Sequence, residues 1–233
     1  MNQIIKFVAQ NEHVWQVRDR PFPAAKKMPQ SWKDIPKYSN DTKSFELTPA
    51  PSVTVKACIP TLDILTAGYY MPLWSDCLVK QENNFPIIKW SVKGDLFGVW
   101  SLDQVSNFEI DENYSNSIFK YCHGWTIKTP PGWSCLFISP VAYPNLPFKS
   151  LPGIVDTDIF DGEINNPIIF KKGFEGVLEK GTPMFQIIPF KRSHWESEFD
   201  FKKPGQHFLD MEKLYSKISR AYGYLIKDKK VYR

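Results

Sequence analysis

Four carboxylates fall within eight residues of this chain: Asp156, Asp158, Asp161 and Glu163. Two kinds of chemistry suit such a cluster. Close carboxylates can hold a metal ion or divide general acid and base work between them. Asp side chains also pin tight turns by accepting hydrogen bonds from backbone N–H groups. No His or Lys stands beside the cluster as a proton-transfer partner. Just upstream, Trp125 and Trp133 offer flat surfaces for ligand stacking, or large areas for core burial. The four histidines, His13, His123, His194 and His207, show no paired spacing of the kind that marks metal ligands. Ser134-Cys135 has no Gly-x-Ser-x-Gly surroundings, so no nucleophile elbow is read there. A Gly-rich phosphate loop of the GxxxxGK type is absent.

The elements that must position these residues are short. Of 233 residues 15% are aromatic, and 19 prolines outnumber 12 glycines, a balance that favours strands and extended segments over long helices. Val53–Ala57, Asp63–Tyr70, Asp76–Lys80, Ile87–Val92, Leu96–Leu102, Ile118–Tyr121, Trp125–Lys128, Ser134–Ser139, Glu163–Phe170 and Pro183–Phe190 all read as strands. Lys93-Gly94-Asp95 reads as a hairpin turn between two of them. Residues 1–50 read as an irregular, Pro-rich N-terminal arm. It opens with a strand over Gln3–Val8 and includes a helical turn at 29–34 that docks Trp32. Residues 51–195 form the β core and 196–233 a C-terminal extension. In that extension Met211, Leu214, Tyr215, Ile218, Tyr222 and Leu225 recur at spacings of three and four, which predicts a helix over 209–226 with Asp210 as its N-cap.

Cys58, Cys77, Cys122 and Cys135 form no CxxC pair, which speaks against a zinc site and for free thiols in a reducing compartment. A formal net charge of +4 is mild, and the run Lys227-Asp228-Lys229-Lys230 reads as a solvated tail. Only Lys191-Arg192-Ser193-His194-Trp195 interleaves basic and aromatic residues as a nucleic-acid surface would, so nucleic acid is not expected as a partner. No signal peptide and no membrane-spanning apolar run is read, so a cytoplasmic or virion-bound protein is expected.

Residues 124–190 carry a likeness. Thr129-Pro130-Pro131-Gly132-Trp133 leads into a strand, the run from Gly153 to Ile164 contains Gly-Ile-Val-Asp and Gly-Glu-Ile, and Gly181 to Ile187 ends in Phe-Gln-Ile. This order resembles the dUTPase and dCTP deaminase superfamily, with Ala67-Gly68-Tyr69-Tyr70 similar to its first motif, Ala-Gly-Tyr-Asp. Phage and bacterial proteins with a Gly-Trp turn and a later Gly-(Ile/Leu)-Val-x-Thr-Asp turn are similar too. The resemblance implies a mainly β, dUTPase-like (β-clip) barrel or sandwich and a homo-oligomer, with a trimer favoured. It also implies a ligand site that includes Asp156, Asp158, Phe160, Trp133 and Gln186, with Phe160 near the family's base-stacking aromatic.

The family's chemistry is not carried over. Tyr70 stands where the first motif has Asp, and Ser139-Pro140-Val141-Ala142-Tyr143 lacks the Arg of the phosphate motif. One residue too many separates Asp156 from Gly162, and Pro183 replaces an Arg. Triphosphate hydrolysis needs cations on the phosphates and an oriented water. No catalytic residue, metal or cofactor is therefore assigned. The expected function is a non-catalytic phage-type protein that binds a nucleotide-like small molecule or a protein partner. The alternatives are a virion structural protein that locks neighbouring subunits, and a divergent nucleotide hydrolase using Asp156.

Overall fold

The computed structural model describes residues 3–39, 53–83, 85–199 and 230–232. Near the N-terminus come β1 (Lys6–Ala9), α1 (Glu12–Val17), β2 (Phe22–Pro23) and α2 (Gln30–Asp34). After α3 (Ile59–Thr66) follow β3 (Tyr69–Pro72), β4 (Cys77–Glu82), β5 (Phe85–Trp90), β6 (Phe97–Val99) and β7 (Tyr114–Tyr121). The remaining strands are β8 (Trp125–Lys128), β9 (Trp133–Ile138), β10 (Phe148–Ser150), β11 (Gly153–Val155), β12 (Asn166–Lys171), β13 (Gly176–Leu178) and β14 (Pro183–Lys191).

Among the described residues these 14 strands form four antiparallel sheets, and none of the sheets closes into a barrel. The largest has the order β11-β9-β14-β3-β2, and the others are β10-β12-β7-β6, β13-β4-β5 and β1-β8. The protein is thus mainly β, as its composition implies. β14 is central to the largest sheet, with β9 and β3 on either side. Its first five residues are all buried, because both faces of the strand are covered.

The aromatic content goes into the core. Phe119 and Phe170 meet edge-on at 5.5 Å, Phe148 and Phe170 at 6.2 Å, and Phe137 and Phe185 lie 5.7 Å apart. Such contacts add about 0.5–1.5 kcal/mol each beyond the burial of their area. A smaller cluster joins Ala24, Leu65, Tyr70 and Ala142, and Trp32 on α2 packs against it, as expected of that helical turn.

Several local expectations change. Residues 3–39 are less irregular than an arm, because β1 pairs with β8 over four residues and β2 joins β3. Lys93-Gly94-Asp95 is not a hairpin turn, since β5 and β6 belong to different sheets. The strand read over Asp63–Tyr70 is α3 followed by β3. Pro60 at the start of α3 is a helix-initiating signal that the apolar run masked. Val53–Ala57 is a single bridge from Val53 to Tyr38 and a 3-10 turn capped by Thr54. The helix expected over 209–226 lies outside the described residues.

Gly68, between α3 and β3, has φ of 65°, and a Cβ there would stand 1.9 Å from the Ile187 carbonyl oxygen. Only glycine lets this junction approach β14 so closely.

Candidate functional site

The acidic turn is fastened to the end of the largest sheet. Pro130-Pro131-Gly132-Trp133 is a β-turn closed by the Trp133 N–H donating to the Pro130 carbonyl at 3.2 Å, with Gly132 at φ of 82°. Pro in the second position and a positive φ in the third are the requirements of a type II turn. Asp158 accepts a hydrogen bond from the Gly132 N–H at 2.7 Å. It also faces the Arg192 guanidinium with both carboxylate oxygens, at 2.7 and 2.5 Å. This bidentate pair, with the Asp158 side chain 7% exposed, holds its carboxyl down to about 2. A group ionised over that whole range is a poor general acid or base near neutral pH.

The other three carboxylates are also engaged. Asp156 accepts from the Ser134 hydroxyl at 2.6 Å and lies 3.2 Å from Arg192 Nη1. Asp161 pairs with Lys128 at 2.9 Å, and Glu163 accepts from the Gly124 N–H at 2.5 Å. Asp156 and Asp158 thus share Arg192, and Asp161 and Glu163 tie the turn to Lys128 and to the Gly124 backbone. No group of three or more His, Cys, Asp or Glu side chains among the described residues is arranged to hold a metal ion. The arrangement is that of a turn pinned by its acids.

Of the five ligand residues expected from the resemblance, the structure brings Asp156 and Asp158 together at Arg192, Phe160 lies on the same turn, and the Trp133 side chain points to the other face of the sheet. Phe160 is 44% exposed, and its carbonyl accepts from Lys128 Nζ at 2.9 Å. Gln186 is elsewhere. It is fully buried, and its Nε2 donates to the carbonyls of Ile64 at 2.9 Å and Ala67 at 2.7 Å. Its Oε1 accepts from the Val141 N–H at 3.2 Å. Six residues of strand, about 20 Å, separate it from Arg192. Its placement is that of a bracket between β14, the end of α3 and the 139–143 loop, and not that of a ligand contact.

Tyr70, at the position of the resembling family's Asp, is also fully buried, with its hydroxyl donating to the Leu65 carbonyl at 3.4 Å. Trp125 is buried in the core, edge-on to Trp15 at 6.3 Å, so it forms no shared platform with Trp133. His123 is buried too. Its Nε2 donates to the Ile164 carbonyl at 2.9 Å while Nδ1 accepts from the Trp125 N–H at 3.0 Å. Burial pushes it down to about 4, so it is a neutral structural imidazole.

Arg192 is the residue that a reading of motifs did not place in the site. Its signal was present in the run Lys191-Arg192-Ser193-His194-Trp195, but its carboxylate partner lies 34 residues away. Strand alternation then divides the sheet end into two sides. Phe190 pairs with Ser134 and Lys191 with Trp133. Ser134 and Arg192 therefore share the face that carries the acidic clamp, while Trp133, Pro189 and Lys191 share the opposite one.

On that opposite side lies a cleft of about 460 Å³. Trp133, Pro130 and Thr129 form one wall, Tyr69 and Pro189 the sheet side, and Ile5 and Tyr232 the parts contributed by the chain ends. Among the described residues that line it, none is acidic. Its size is within the range of small-molecule sites.

No known family model matches the chain, and no curated protein matches it. Among the described residues no helix is long and apolar enough to cross a membrane.

Proposed function

We propose that this chain is a non-catalytic binding protein built on a dUTPase-like core, of phage type, which takes a nucleotide-like small molecule or a protein partner and assembles as a homo-oligomer, a trimer being favoured. One observation carries the reading. The side chains at the family's working positions serve the fold: Tyr70 is in the core, Asp158 is locked to Arg192, and the Gln186 amide is held by three backbone groups. A scaffold that retains its turns and spends these residues on structure is what loss of hydrolysis leaves behind. Incubation with dUTP, dCTP and magnesium tests the reading. No turnover is expected, and robust release of pyrophosphate or ammonia would refute it in favour of a divergent enzyme centred on Asp156.

A second reading, a virion structural protein, is favoured by a different feature. Residues 192–199, which follow β14, have no regular structure, and Trp195 and Phe199 are 88% and 95% exposed. Large apolar side chains standing in solvent suit contact with neighbouring subunits. Stoichiometric presence in purified particles would support this reading, and recovery only from infected-cell lysate would count against it.

A further inference from the structure

The binding reading leaves open where a ligand sits, and the acidic turn is a poor host. Its carboxylates are already paired, and they would repel a phosphate. The opposite face of the same sheet end has the reverse character. Trp133 is presented there by the Pro130–Trp133 turn and is partly exposed. Tyr69 and Tyr232 meet edge-on at 6.1 Å and 86°, and Phe7 backs Tyr69 edge-on at 5.3 Å. The ring that Tyr69 contributes is thus held in place before any ligand arrives. An aromatic wall fixed in this way can stack a planar ring without first being ordered.

Two lysines stand at this cleft, and one of them is already paired. Lys230 belongs to its lining, where it also meets Asp63 at 3.1 Å. Lys191 stands directly across the strand pair from Trp133, two residues beyond the lining residue Pro189, and therefore points to the cleft side. Lys191 is exposed and its side chain has no hydrogen bond or ion pair among the described residues. Among the described lining residues none is acidic, but Asp63 offsets Lys230, so Lys191 is the cation left to meet an anion. Rings inside and an ammonium group at the edge are complementary to a ligand with an aromatic and an anionic part.

We propose that the cleft between Trp133, Tyr69 and Tyr232 binds a planar aromatic ring carrying an anionic group, with the ring against Trp133 and the anion at Lys191. Nucleoside monophosphates and aromatic carboxylates share this chemistry. The assignment rests on the reading of the chain as a binding protein, and it moves the ligand from the acidic turn to the other side of the sheet.

The test is calorimetric titration and thermal shift of the full chain with four probes: nucleoside 5′-monophosphates, the corresponding neutral nucleosides, inorganic phosphate, and indole-3-acetate. Ring-bearing anions should bind and raise the melting temperature, because they prefer the folded state. Neutral nucleosides and phosphate alone should bind more weakly. Preference for monophosphates over indole-3-acetate would identify a nucleotide as the source of the chemistry, and the reverse an aromatic carboxylate. Trp133→Ala should weaken binding about tenfold or more, as loss of one stacking surface does. Lys191→Glu, on an exposed strand end, should weaken it about tenfold through charge without disturbing the fold. Absence of binding by every ring-bearing anion at millimolar concentration would overturn the proposal. Binding that both variants leave unchanged would also overturn it, while the broader binding reading would stand. Turnover of a nucleotide would instead refute that broader reading.

Discussion

Replacing Gln186 by leucine separates a structural bracket from a ligand contact. The side chain is fully buried, and leucine fills a similar volume without polar atoms. Three backbone groups lose a hydrogen bond, the carbonyls of Ile64 and Ala67 and the N–H of Val141, and of these Ile64 keeps the Ala67 N–H at 3.4 Å. They are not equivalent. Ala67 is 8% exposed, so its carbonyl stays buried and unsatisfied, whereas Ile64 and Val141 are 38% and 37% exposed and lie within reach of water. One buried orphan costs about 1–3 kcal/mol, and two groups that water can partly satisfy add less than that each. The expected loss is about 3 kcal/mol, or about 6–12 °C in melting temperature for a chain of this size. Urea unfolding monitored by far-UV circular dichroism should show a lower midpoint with an unchanged slope. A variant that melts within about 2 °C of the parent would refute the bracket. One that kept its stability and lost a ligand would return Gln186 to the binding site.

Two further outcomes follow from buried and exposed titrating groups. His123 is held down to about 4 by burial, against about 6.5 in an unfolded chain, so unfolding takes up a proton between those values. Its contribution is complete above pH 6.5 and is lost as pH falls toward 4, a difference of about 3 kcal/mol. Asp158, held down to about 2, ceases to contribute only at more acid pH. Urea titrations over that interval should show the fall, and a flat stability profile down to pH 4 would contradict the neutral imidazole. Among the thiols, Cys58 is exposed, and the Thr61 hydroxyl donates to its Sγ at 3.1 Å, which lowers its pKa. Cys77 and Cys135 are buried and pushed up to about 12 and about 11. Disulfide-exchange labelling at neutral pH should modify Cys58 first and should slow in Thr61→Val, with peptide mapping as the readout; initial labelling of Cys122 would refute the ordering.

Where the sequence was legible, its signals were local. Trp125–Lys128 was read with the bounds the structure has, and the strands around Ser134–Ser139 and Pro183–Phe190 differ from β9 and β14 by a residue at their ends. Alternating or continuous apolar runs between turn residues specify such strands within a few positions. Gly132 and its preceding prolines likewise encode their turn by themselves. The misread stretches were those where two local signals conflict. In Asp63–Tyr70 an apolar run conceals a short helix and a strand, and at Lys93-Gly94-Asp95 residues typical of a hairpin turn join strands of different sheets.

The site was legible only in part, for the same reason. That the acids of 156–163 pin a turn could be weighed from their type and spacing, because Asp-capped turns are local. Their partners could not. Arg192 reaches Asp158 across 34 residues, and Gln186 reaches Ala67 across 119. Such contacts depend on which strands become neighbours and in what register. The sequence by itself determined a β-rich chain, its turns and the aromatic residues available to fill a core. Only the tertiary structure decided that Gln186 and Tyr70 serve the interior, and that β9 and β14 turn the acidic clamp to one side and Trp133 with Lys191 to the other. The physical reason is the two-residue period of a strand: identity says what a side chain can do, and pairing register alone says which face it does it on.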